Sequence, residues 1–252
     1  MEVFPVPDMP EVTSGDDIGR LIDDRVALDE TDILTVASTI VSKAEARGVS
    51  LDEFEPTPRA LAIAERLSAI SGDEKDPRFA QAVLEESTEC LMEAPFLLTR
   101  TRFGHIGVNA GIDRSNTGDA ELLLLPEDPH ESANRIRASL LKDNPVVVTD
   151  TCGRPFRHGQ VSVAIGWDGL QASRDWRGTI DRDGHELAVT VEAIVDELAA
   201  ASNLVAGEGA GGTPVVIVRG LDIDAWKGSN RLFRDADTDF VRQALNAWTY
   251  DP

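Results

Sequence analysis

The chain has 252 residues, of which 42% are hydrophobic, so it can bury a sizeable core and is not expected to be a disordered acidic chain. Its 45 acidic and 24 basic residues give a formal net charge of −21, which argues against binding to nucleic acid or to an anionic membrane. We find no apolar run of about 18 residues and no signal-peptide pattern, so we expect a cytoplasmic protein.

The excess of acidic residues is typical of a folded protein in a high-salt cytoplasm, where molar salt screens charge repulsion beyond about 3 Å. Cys90 and Cys152 are the only cysteines. They are too few for a disulfide framework at this length, which fits a reducing compartment. We expect each thiol to behave as a small buried hydrophobe rather than as a nucleophile.

The spacing of apolar residues predicts a mixture of strands and helices. Strands are predicted at 33–37, 146–148, 161–166 and 215–218, with a hairpin across 97–109 that turns near Gly104 and an apolar run at 122–125. Helices are predicted at 61–70, 79–92, 132–141 with Ser132 as the N-cap, 188–201 and 237–247. The order is not a strict βαβ alternation, so the sequence favours an α+β fold with mixed sheets.

A glycine-rich segment, Gly207-Glu-Gly-Ala-Gly-Gly212, matches the spacing of a dinucleotide-binding loop. A Rossmann loop follows a strand and precedes a helix, whereas this segment follows a predicted helix and precedes a predicted strand. The Rossmann interpretation is therefore excluded. Two alternatives stay open: a flexible connector, or a loop whose backbone N–H groups contact a phosphate.

Two further segments carry groups that suit phosphate or metal chemistry. Ser38, Thr39 and Lys43 follow strand 33–37, near a predicted helix start where anions are favoured. This segment could equally be a solvated helix start. Asp113 and Asn116 lie in Asn109-Ala-Gly-Ile-Asp-Arg-Ser-Asn, where oxygen ligands could hold Mg²⁺ or could form an Asx turn.

The segment Thr149-Asp-Thr-Cys-Gly-Arg-Pro-Phe-Arg157 places Asp150 directly after a predicted buried strand, where a carboxylate is held rigidly. Arg154 and Arg157 could bind an anionic substrate group or could pair with acidic side chains. A nucleophilic Cys152 would need a lowered pKa and a partner base, which the sequence does not indicate. Together the segments suggest metal-assisted phosphate chemistry.

At these residues the chain resembles the coenzyme F420-0:L-glutamate ligase family. The matching segments occur in family order: Met9-Pro-Glu-Val, Gly15-Asp-Asp-Ile, Ile40-Val-Ser-Lys-Ala-Glu, Asn109-Ala-Gly-Ile-Asp-Arg-Ser-Asn, Leu125-Pro-Glu-Asp-Pro, Thr149-Asp-Thr-Cys-Gly-Arg-Pro-Phe-Arg and Asp196-Glu-Leu-Ala. The resemblance, with the acidic composition, implies a member from a halophilic archaeon. It also implies one ligase unit over 1–252, with two subdomains and an intertwined homodimer.

The activity implied by the resemblance is GTP-dependent addition of L-glutamate to coenzyme F420-0 through an acyl phosphate, with Mg²⁺ or Mn²⁺, two per site, and K⁺. The implied catalytic and metal-binding residues are Asp113 and Asp150, with Thr151 and Glu208 at a second ion. The implied nucleotide contacts are Met9, Pro10, Glu11, Val12, Ser38, Thr39, Lys43, Asn116, Ala206, Gly207, Glu208, Gly209, Ala210, Gly211, Gly212 and Thr213. A metal-dependent phosphohydrolase and a non-catalytic nucleotide-binding protein are the alternatives.

The chain also departs from the family pattern. Cys152 stands where the family usually has an aromatic residue, which further disfavours a catalytic thiol. Gly166-Trp-Asp-Gly replaces a smaller Gly-x-Ala-Gly pattern, so the packing or the substrate contact there is expected to differ. Glu208 stands where the family can have Gln, and its carboxylate would add negative charge at the second ion.

Overall fold

The computed structural model describes residues 1–209, 211–223 and 226–250. Its α-helices are α1 (Ile18–Asp23), α2 (Ser38–Ala44), α3 (Pro58–Ser71), α4 (Pro77–Glu85), α5 (Pro129–Ser139), α6 (Ile194–Ala206) and α7 (Phe240–Asn246). Its strands are β1 (Glu2–Pro5), β2 (Ile33–Ala37), β3 (Gly48–Val49), β4 (Ser87–Met92), β5 (Leu98–Thr101), β6 (Ile106–Val108), β7 (Leu122–Leu123), β8 (Val146–Arg154), β9 (Arg157–Asp168), β10 (Ser173–Asp175), β11 (Val191–Glu192), β12 (Val215–Arg219) and β13 (Gly228–Ser229).

A five-stranded mixed sheet forms the centre of the fold, with the strand order β1-β12-β2-β8-β9. Strands β2 and β8 are parallel, and the other neighbouring pairs are antiparallel. The apolar runs of β2, β12 and the first half of β8 are buried, as expected for strands covered on both faces. The mixed sheet and the surrounding helices confirm the α+β fold.

The two faces of the central sheet are covered by different helices. Val146 and Val148 point to the face covered by α1, α2 and α5, whereas Val147 points to the face covered by α6. This alternation follows from the two-residue period of a strand. A separate apolar cluster joins α3, α4 and the strands around Leu97 and Leu122. The remaining strands form small sheets with the strand orders β4-β5-β6, β11-β10-β13 and β3-β7.

Several predicted elements differ from those of the structure. The helix predicted at 79–92 ends at Glu85, and Ser87–Met92 forms β4, because pairing with β5 is available to that segment. The predicted helix at 132–141 begins earlier, at Pro129. Asp128 is its N-cap, because its carboxylate accepts the backbone N–H groups of His130 and Glu131 at 3.0 and 3.2 Å. The prediction of Ser132 as the N-cap was therefore wrong.

Other element boundaries also move. The helix predicted at 188–201 begins at Ile194 and continues to Ala206, because Val191–Glu192 pairs as a strand with β10. The strand predicted at 146–148 continues to Arg154 as one arm of a long hairpin with β9. The sequence analysis missed β1 and α1. None of the helices in the described part of the chain is long and apolar enough to cross a membrane.

Candidate functional site

The parallel pairing of β2 and β8 ends at one edge of the central sheet, where the site begins. Ala37 pairs with Thr149, and the chain then diverges into α2 on one side and into the hairpin arm on the other. Ser38 and Asp150 come directly after this pair. The Ser38 hydroxyl donates a hydrogen bond from Oγ to Asp150 Oδ1 at 3.0 Å. The end of the pairing thus fixes the position of the Asp150 carboxylate.

A short left-handed turn carries the chain towards Asp113. Asn109, Ala110 and Gly111 have positive φ angles of 55°, 55° and 68°. Such conformations are costly for residues other than glycine and persist where the surroundings enforce them. Asp113 then forms an isolated bridge with Leu123 through backbone hydrogen bonds of 2.9 and 3.0 Å. The turn and the bridge together hold Asp113 at the same edge of the sheet as Asp150.

The end of α6 brings a third carboxylate to this edge. The helix ends at Ala206, and Gly207 leaves it with a φ of 69°. Glu208 Oε1 then accepts hydrogen bonds from Asn203 Nδ2 at 2.9 Å and from Thr151 Oγ1 at 3.2 Å. These contacts link the glycine-rich loop to β8.

The N-terminal segment is joined to α2 by an ion pair between Glu11 and Lys43. The Lys43 side chain is 15% exposed, whereas that of Glu11 is 75% exposed, so the ammonium group is the more enclosed partner. Lys43 therefore adds a positive charge, paired with Glu11, in the last turn of α2.

One cavity of about 720 Å³ collects most of the predicted site residues. Its lining includes Met9, Pro10, Glu11, Val12, Ser38, Thr39, Lys43, Asp113, Asn116, Asp150, Thr151, Ala206, Gly207, Glu208, Gly209, Gly212 and Thr213. The lining does not include Gly211, Arg154 or Arg157. Both arginines are exposed towards the tip of the β8–β9 hairpin. Ala210, also predicted as a nucleotide contact, lies outside the described residues.

The two aspartates of the site have pKa values well above the ordinary range. Burial and then the neighbouring Asp113 charge raise the pKa of Asp150 to about 7, against the opposing hydrogen bond from Ser38. Burial also raises the pKa of Asp113 to about 6, with a further contribution from the Glu208 charge. The carboxylates thus repel one another in a partly buried site, which a divalent cation would relieve.

The donor set fits a Mg²⁺ or Mn²⁺ ion held partly by water and by substrate. Among the described residues, no group of three or more His, Cys, Asp or Glu side chains converges on one point. An ion here would therefore take one or two carboxylates and fill its other positions with phosphate or water oxygens, which is the usual arrangement for Mg²⁺. The predicted assignment of Asp113, Asp150, Thr151 and Glu208 to two ions stays a prediction.

Comparison with known proteins identifies the family. A sequence model described as F420-0:gamma-glutamyl ligase matches residues 8–220. The chain belongs to the F420-0:gamma-glutamyl ligase family. It is 64% identical over 251 residues to a protein from Halorubrum lacusprofundi named coenzyme F420:L-glutamate ligase, with all of both chains covered.

Other relatives in the ligase family have the same name. The Halobacterium salinarum protein is 63% identical, with 100% of this chain and 99% of the relative covered, and the Archaeoglobus fulgidus protein is 46% identical, with 97% and 98% covered. The chain is therefore an enzyme of the ligase class. Halorubrum and Halobacterium are halophilic archaea, in agreement with the acidic composition.

Two departures from the family pattern can be placed in the structure. Burial, followed by the charges of Asp150 and Asp196, raises the pKa of Cys152 to about 11, so its thiol stays protonated and is a poor nucleophile. Trp167 is 5% exposed in the core on the α6 face of the sheet, and its ring contacts His130 edge-on at 4.3 Å between centroids. Trp167 does not line the cavity, so it alters packing in this ligase.

The sequence analysis missed part of the cavity wall. Side chains from β9 and α6 that line it include Gln160, Ser162, Ala199, Ser202 and Asn203. No motif identified them, because they reach the cavity only through the packing of α6 against β9. The one signal available was the position of α6 directly before the glycine-rich loop.

Proposed function

We propose that the chain catalyses GTP-dependent addition of L-glutamate to coenzyme F420-0, with release of GDP and phosphate. The observation that carries the proposal is the single cavity lined by residues from five separate segments that the family resemblance implies. The description of the family supplies F420-0 as the acceptor, and the names of the relatives supply L-glutamate as the amino acid. GTP as the nucleotide rests on the resemblance.

The reaction divides into two transfers. A carboxylate oxygen of F420-0 attacks the γ-phosphorus of GTP, the bond to the β-phosphate oxygen breaks, and GDP leaves. The amino nitrogen of glutamate then attacks the acyl carbon of the resulting acyl phosphate. Phosphate leaves with the bonding electron pair, the nitrogen loses a proton, and an amide bond is formed. Charge stabilisation is the main demand on the protein in the first transfer.

The described residues meet that demand in distinct ways. Lys43 supplies a positive charge, and the hydroxyls of Ser38 and Thr39 are hydrogen-bond donors for phosphate oxygens or for the Asp150 carboxylate. Backbone N–H groups around Gly207 and Gly209 are suited to phosphate contact, because glycine allows close approach. This use of the loop favours the phosphate-binding alternative over a plain connector.

Asp113, Asp150, Thr151 and Glu208 would hold Mg²⁺ or Mn²⁺, which would offset the charge of the nucleotide phosphates. Two ions per site follow from the resemblance, as does K⁺, to which no residue is assigned. The raised pKa values of Asp113 and Asp150 support the cation, because two partly buried acids retain their negative charges more readily beside one.

A homodimer in the cytoplasm also follows from the resemblance and the composition. Phe156, at the tip of the β8–β9 hairpin, is 100% exposed, which suits an arm that packs against a second copy. Arg154 and Arg157 lie on the same hairpin arm. They could contact an anionic substrate group only if this arm extends to a substrate-binding site. Light scattering in molar KCl measures the mass in solution, and a mass of 27.2 kDa would contradict the dimer.

One assay tests the function. The protein is incubated in molar KCl with GTP, Mn²⁺, L-glutamate and F420-0, and the masses of the products are measured by mass spectrometry. A gain of one glutamyl unit, with GDP formed only when both co-substrates are present, supports the ligase. The same spectrum shows whether a second, gamma-linked glutamate is added.

The alternatives give different results in the same assay. GTP hydrolysis that is indifferent to glutamate would point to a phosphohydrolase. Nucleotide binding without turnover would point to a non-catalytic nucleotide-binding protein. Replacing GTP by ATP in a parallel sample tests the nucleotide base, and equal turnover with ATP would contradict the GTP assignment.

A further inference from the structure

Helix α6 is tied to the central sheet by a polar contact near each of its ends. Just beyond its C-terminal end, Glu208 accepts a hydrogen bond from Thr151 of β8 at 3.2 Å. At its N-terminal end, Asp196 Oδ1 accepts a hydrogen bond from the backbone N–H of Ala164 in β9 at 2.9 Å. The proposed nucleotide and metal contacts account for Glu208 and leave the role of Asp196 open.

The Asp196 side chain is directed at the sheet rather than at the start of its own helix. Five of the seven described α-helices begin with an N-cap side chain that accepts a backbone N–H of the first turn. Helix α6 begins after Ala193 without such a cap. An acidic side chain at the third helical position can reach back to the N-cap. The half-buried carboxylate of Asp196 instead joins α6 to β9.

This contact reaches β9 at a β-bulge. Beside Ala164, a register shift adds one residue to β9 relative to β8. Because of the extra residue, Ser162 pairs with Thr151, and their hydroxyl oxygens lie 3.1 Å apart. Without it, Val163 would stand opposite Thr151, since a one-residue slip exchanges the two faces of a strand. Asp196 therefore holds β9 at the point that sets its register beside the cavity.

The hydrogen bonds form a closed circuit through α6, β9 and β8. Asp196 joins α6 to β9, and Ser162 of β9 lies beside Thr151 of β8. Thr151 donates to Glu208, and Asn203 in the last part of α6 donates to the same carboxylate at 2.9 Å. The place of Glu208 thus depends on the position of α6 along the sheet.

Apolar packing sets that position less sharply than a hydrogen bond does. Val195 and Leu198 of α6 share an apolar cluster with Trp167 of β9. Such contacts are non-directional, whereas a hydrogen bond is lost beyond about 3.5 Å. Because α6 is continuous, a shift of the whole helix would also move Glu208. A ligand constellation has to be held within about 0.5 Å, so a shift of that size would disturb an ion site.

We propose that Asp196 is a positioning residue, which fixes α6 on β9 and thereby sets Glu208 beside Thr151. The inference rests on the proposed function, in which Glu208 and Thr151 hold an ion. Asp196 does not line the cavity, so it acts through its hydrogen bond and not through its charge. An amide oxygen at the same place can accept the same N–H group.

Four variants separate this role from a general loss of stability. Asp196→Ala removes the hydrogen bond, whereas Asp196→Asn keeps the shape and an acceptor oxygen. Asp128→Ala is the matched control, because Asp128 also accepts backbone N–H groups, at the start of α5, and does not line the cavity. Glu197→Ala removes the neighbouring exposed acid from the same turn of α6.

Hydrogen exchange of the metal-free protein tests the position of the loop without any activity. Mass spectrometry follows the backbone N–H groups of residues 203–209. In Asp196→Ala, exchange in this segment is expected to be at least about tenfold faster than in the unaltered protein, because one end of α6 is released. Asp196→Asn, Asp128→Ala and Glu197→Ala should exchange there at the unaltered rate.

Calorimetry with Mn²⁺ in the presence of GDP supplies a second readout. Asp196→Ala should weaken Mn²⁺ binding about tenfold, since groups that support a metal ligand are worth at least that factor. Asp196→Asn should stay within about threefold of the unaltered protein. Asp128→Ala should have a lower thermal unfolding temperature and an unchanged Mn²⁺ affinity, because its lost contacts lie at the start of α5.

Each result decides the inference. Unchanged exchange at 203–209 in Asp196→Ala would overturn it, and so would an Asp196→Asn variant as impaired as Asp196→Ala, since the charge would then be the cause. Equal effects of Asp128→Ala would show that lost stability explains the change. Absence of a glutamyl product and of Mn²⁺ binding in the unaltered protein would overturn the proposed function, while hydrogen exchange would still decide the role of Asp196. If Asp196→Ala fails to fold, Asp196→Leu fills the space without an acceptor and must show the same changes.

Discussion

Ser38 Oγ donates a hydrogen bond to Asp150 Oδ1 at 3.0 Å, which ties the start of α2 to the strand that carries the carboxylate. This contact joins two segments that are 112 residues apart in the chain. It also opposes the effect of burial, since it favours the charged form of Asp150. The pair therefore links α2 to β8 on the wall of the cavity, between the residues that we propose contact the nucleotide and those that we propose hold the metal.

The first prediction concerns Asp150→Asn. We expect turnover to fall by more than about 100-fold, because an amide cannot supply the charge that a divalent ion requires. The fold should persist, since Asn keeps the shape and removes a charge that is partly buried. Turnover and thermal unfolding are measured side by side, and near-normal turnover would remove Asp150 from the metal site.

The second prediction concerns the supporting hydrogen bond. Ser38→Ala should weaken Mn²⁺ binding about 10- to 100-fold in the absence of nucleotide, because groups that orient a metal ligand are worth that factor. Mn²⁺ affinity is measured by calorimetry at constant KCl. Ser42→Ala is the control, since Ser42 is also buried in α2 but does not line the cavity. Equal Mn²⁺ affinity in both variants would show that Ser38 does not orient the ligand.

The third prediction concerns the left-handed turn before Asp113. Gly111 has a φ of 68°, and a Cβ there would lie 2.4 Å from Leu125 Cδ1 and 3.4 Å from Asp150 Oδ2. Gly111→Ala should therefore lower the free energy of unfolding by about 1–3 kcal/mol, from the strained backbone and the displaced Leu125. It should also reduce turnover. Gly118→Ala, at a φ of 67° with open space around it, isolates the cost of the backbone alone.

If the contact with Leu125 matters, Gly111→Ala must cost more than Gly118→Ala in chemical unfolding. Equal losses would show that the backbone conformation accounts for the whole effect. A further variant, Gly111→Ala combined with Leu125→Val, removes part of the overlap and should recover part of the stability.

The sequence was sufficient to predict four of the five strands of the central sheet, β1 being the one missed, and to indicate the edge of the sheet where the cavity lies. Strand β2 was predicted with its observed bounds, because a continuous apolar run between polar segments is a strong signal. Asp150 was predicted to follow the end of a strand, whereas β8 continues past it to Arg154. The prediction still placed Asp150 directly after the buried paired segment, because the pairing with β2 ends at Thr149.

Elements that depend on tertiary pairing were harder to predict. Segment 87–92 has apolar spacing that also suits a helix, and only its pairing with β5 makes it a strand. Ser202 looks in sequence like any serine in a helix, and its place in the cavity wall depends on which face of α6 meets β9. The glycine-rich loop stayed ambiguous because spacing does not show whether backbone N–H groups converge.

The fourth prediction concerns His105, which lies outside the cavity and is 6% exposed. Burial lowers the pKa of His105 to about 4, so the folded protein keeps it neutral. In the unfolded chain its pKa is about 6.5, so between these values the unfolded state binds more protons. The stability that this effect contributes is complete above about pH 6.5 and is lost progressively as the pH falls towards 4.

His105→Phe should therefore reduce the loss of stability on acidification. Between about pH 7 and pH 4, the unaltered protein should lose up to about 3 kcal/mol more unfolding free energy than the variant. The two proteins are compared by urea unfolding at several pH values, so that the titration of carboxylates cancels. Equal losses of stability on acidification in the two proteins would contradict the prediction.

The last prediction concerns salt. With a formal net charge of −21, the folded chain concentrates negative charge that the unfolded chain spreads out. At about 0.1 M salt this repulsion extends over about 10 Å, and at 1 M over about 3 Å. The free energy of unfolding should therefore rise steadily from dilute buffer to molar KCl. Substituting the exposed Glu55, Glu65 and Asp119 by their amides should flatten the dependence, and full stability of the unaltered protein in dilute buffer would contradict the halophilic interpretation.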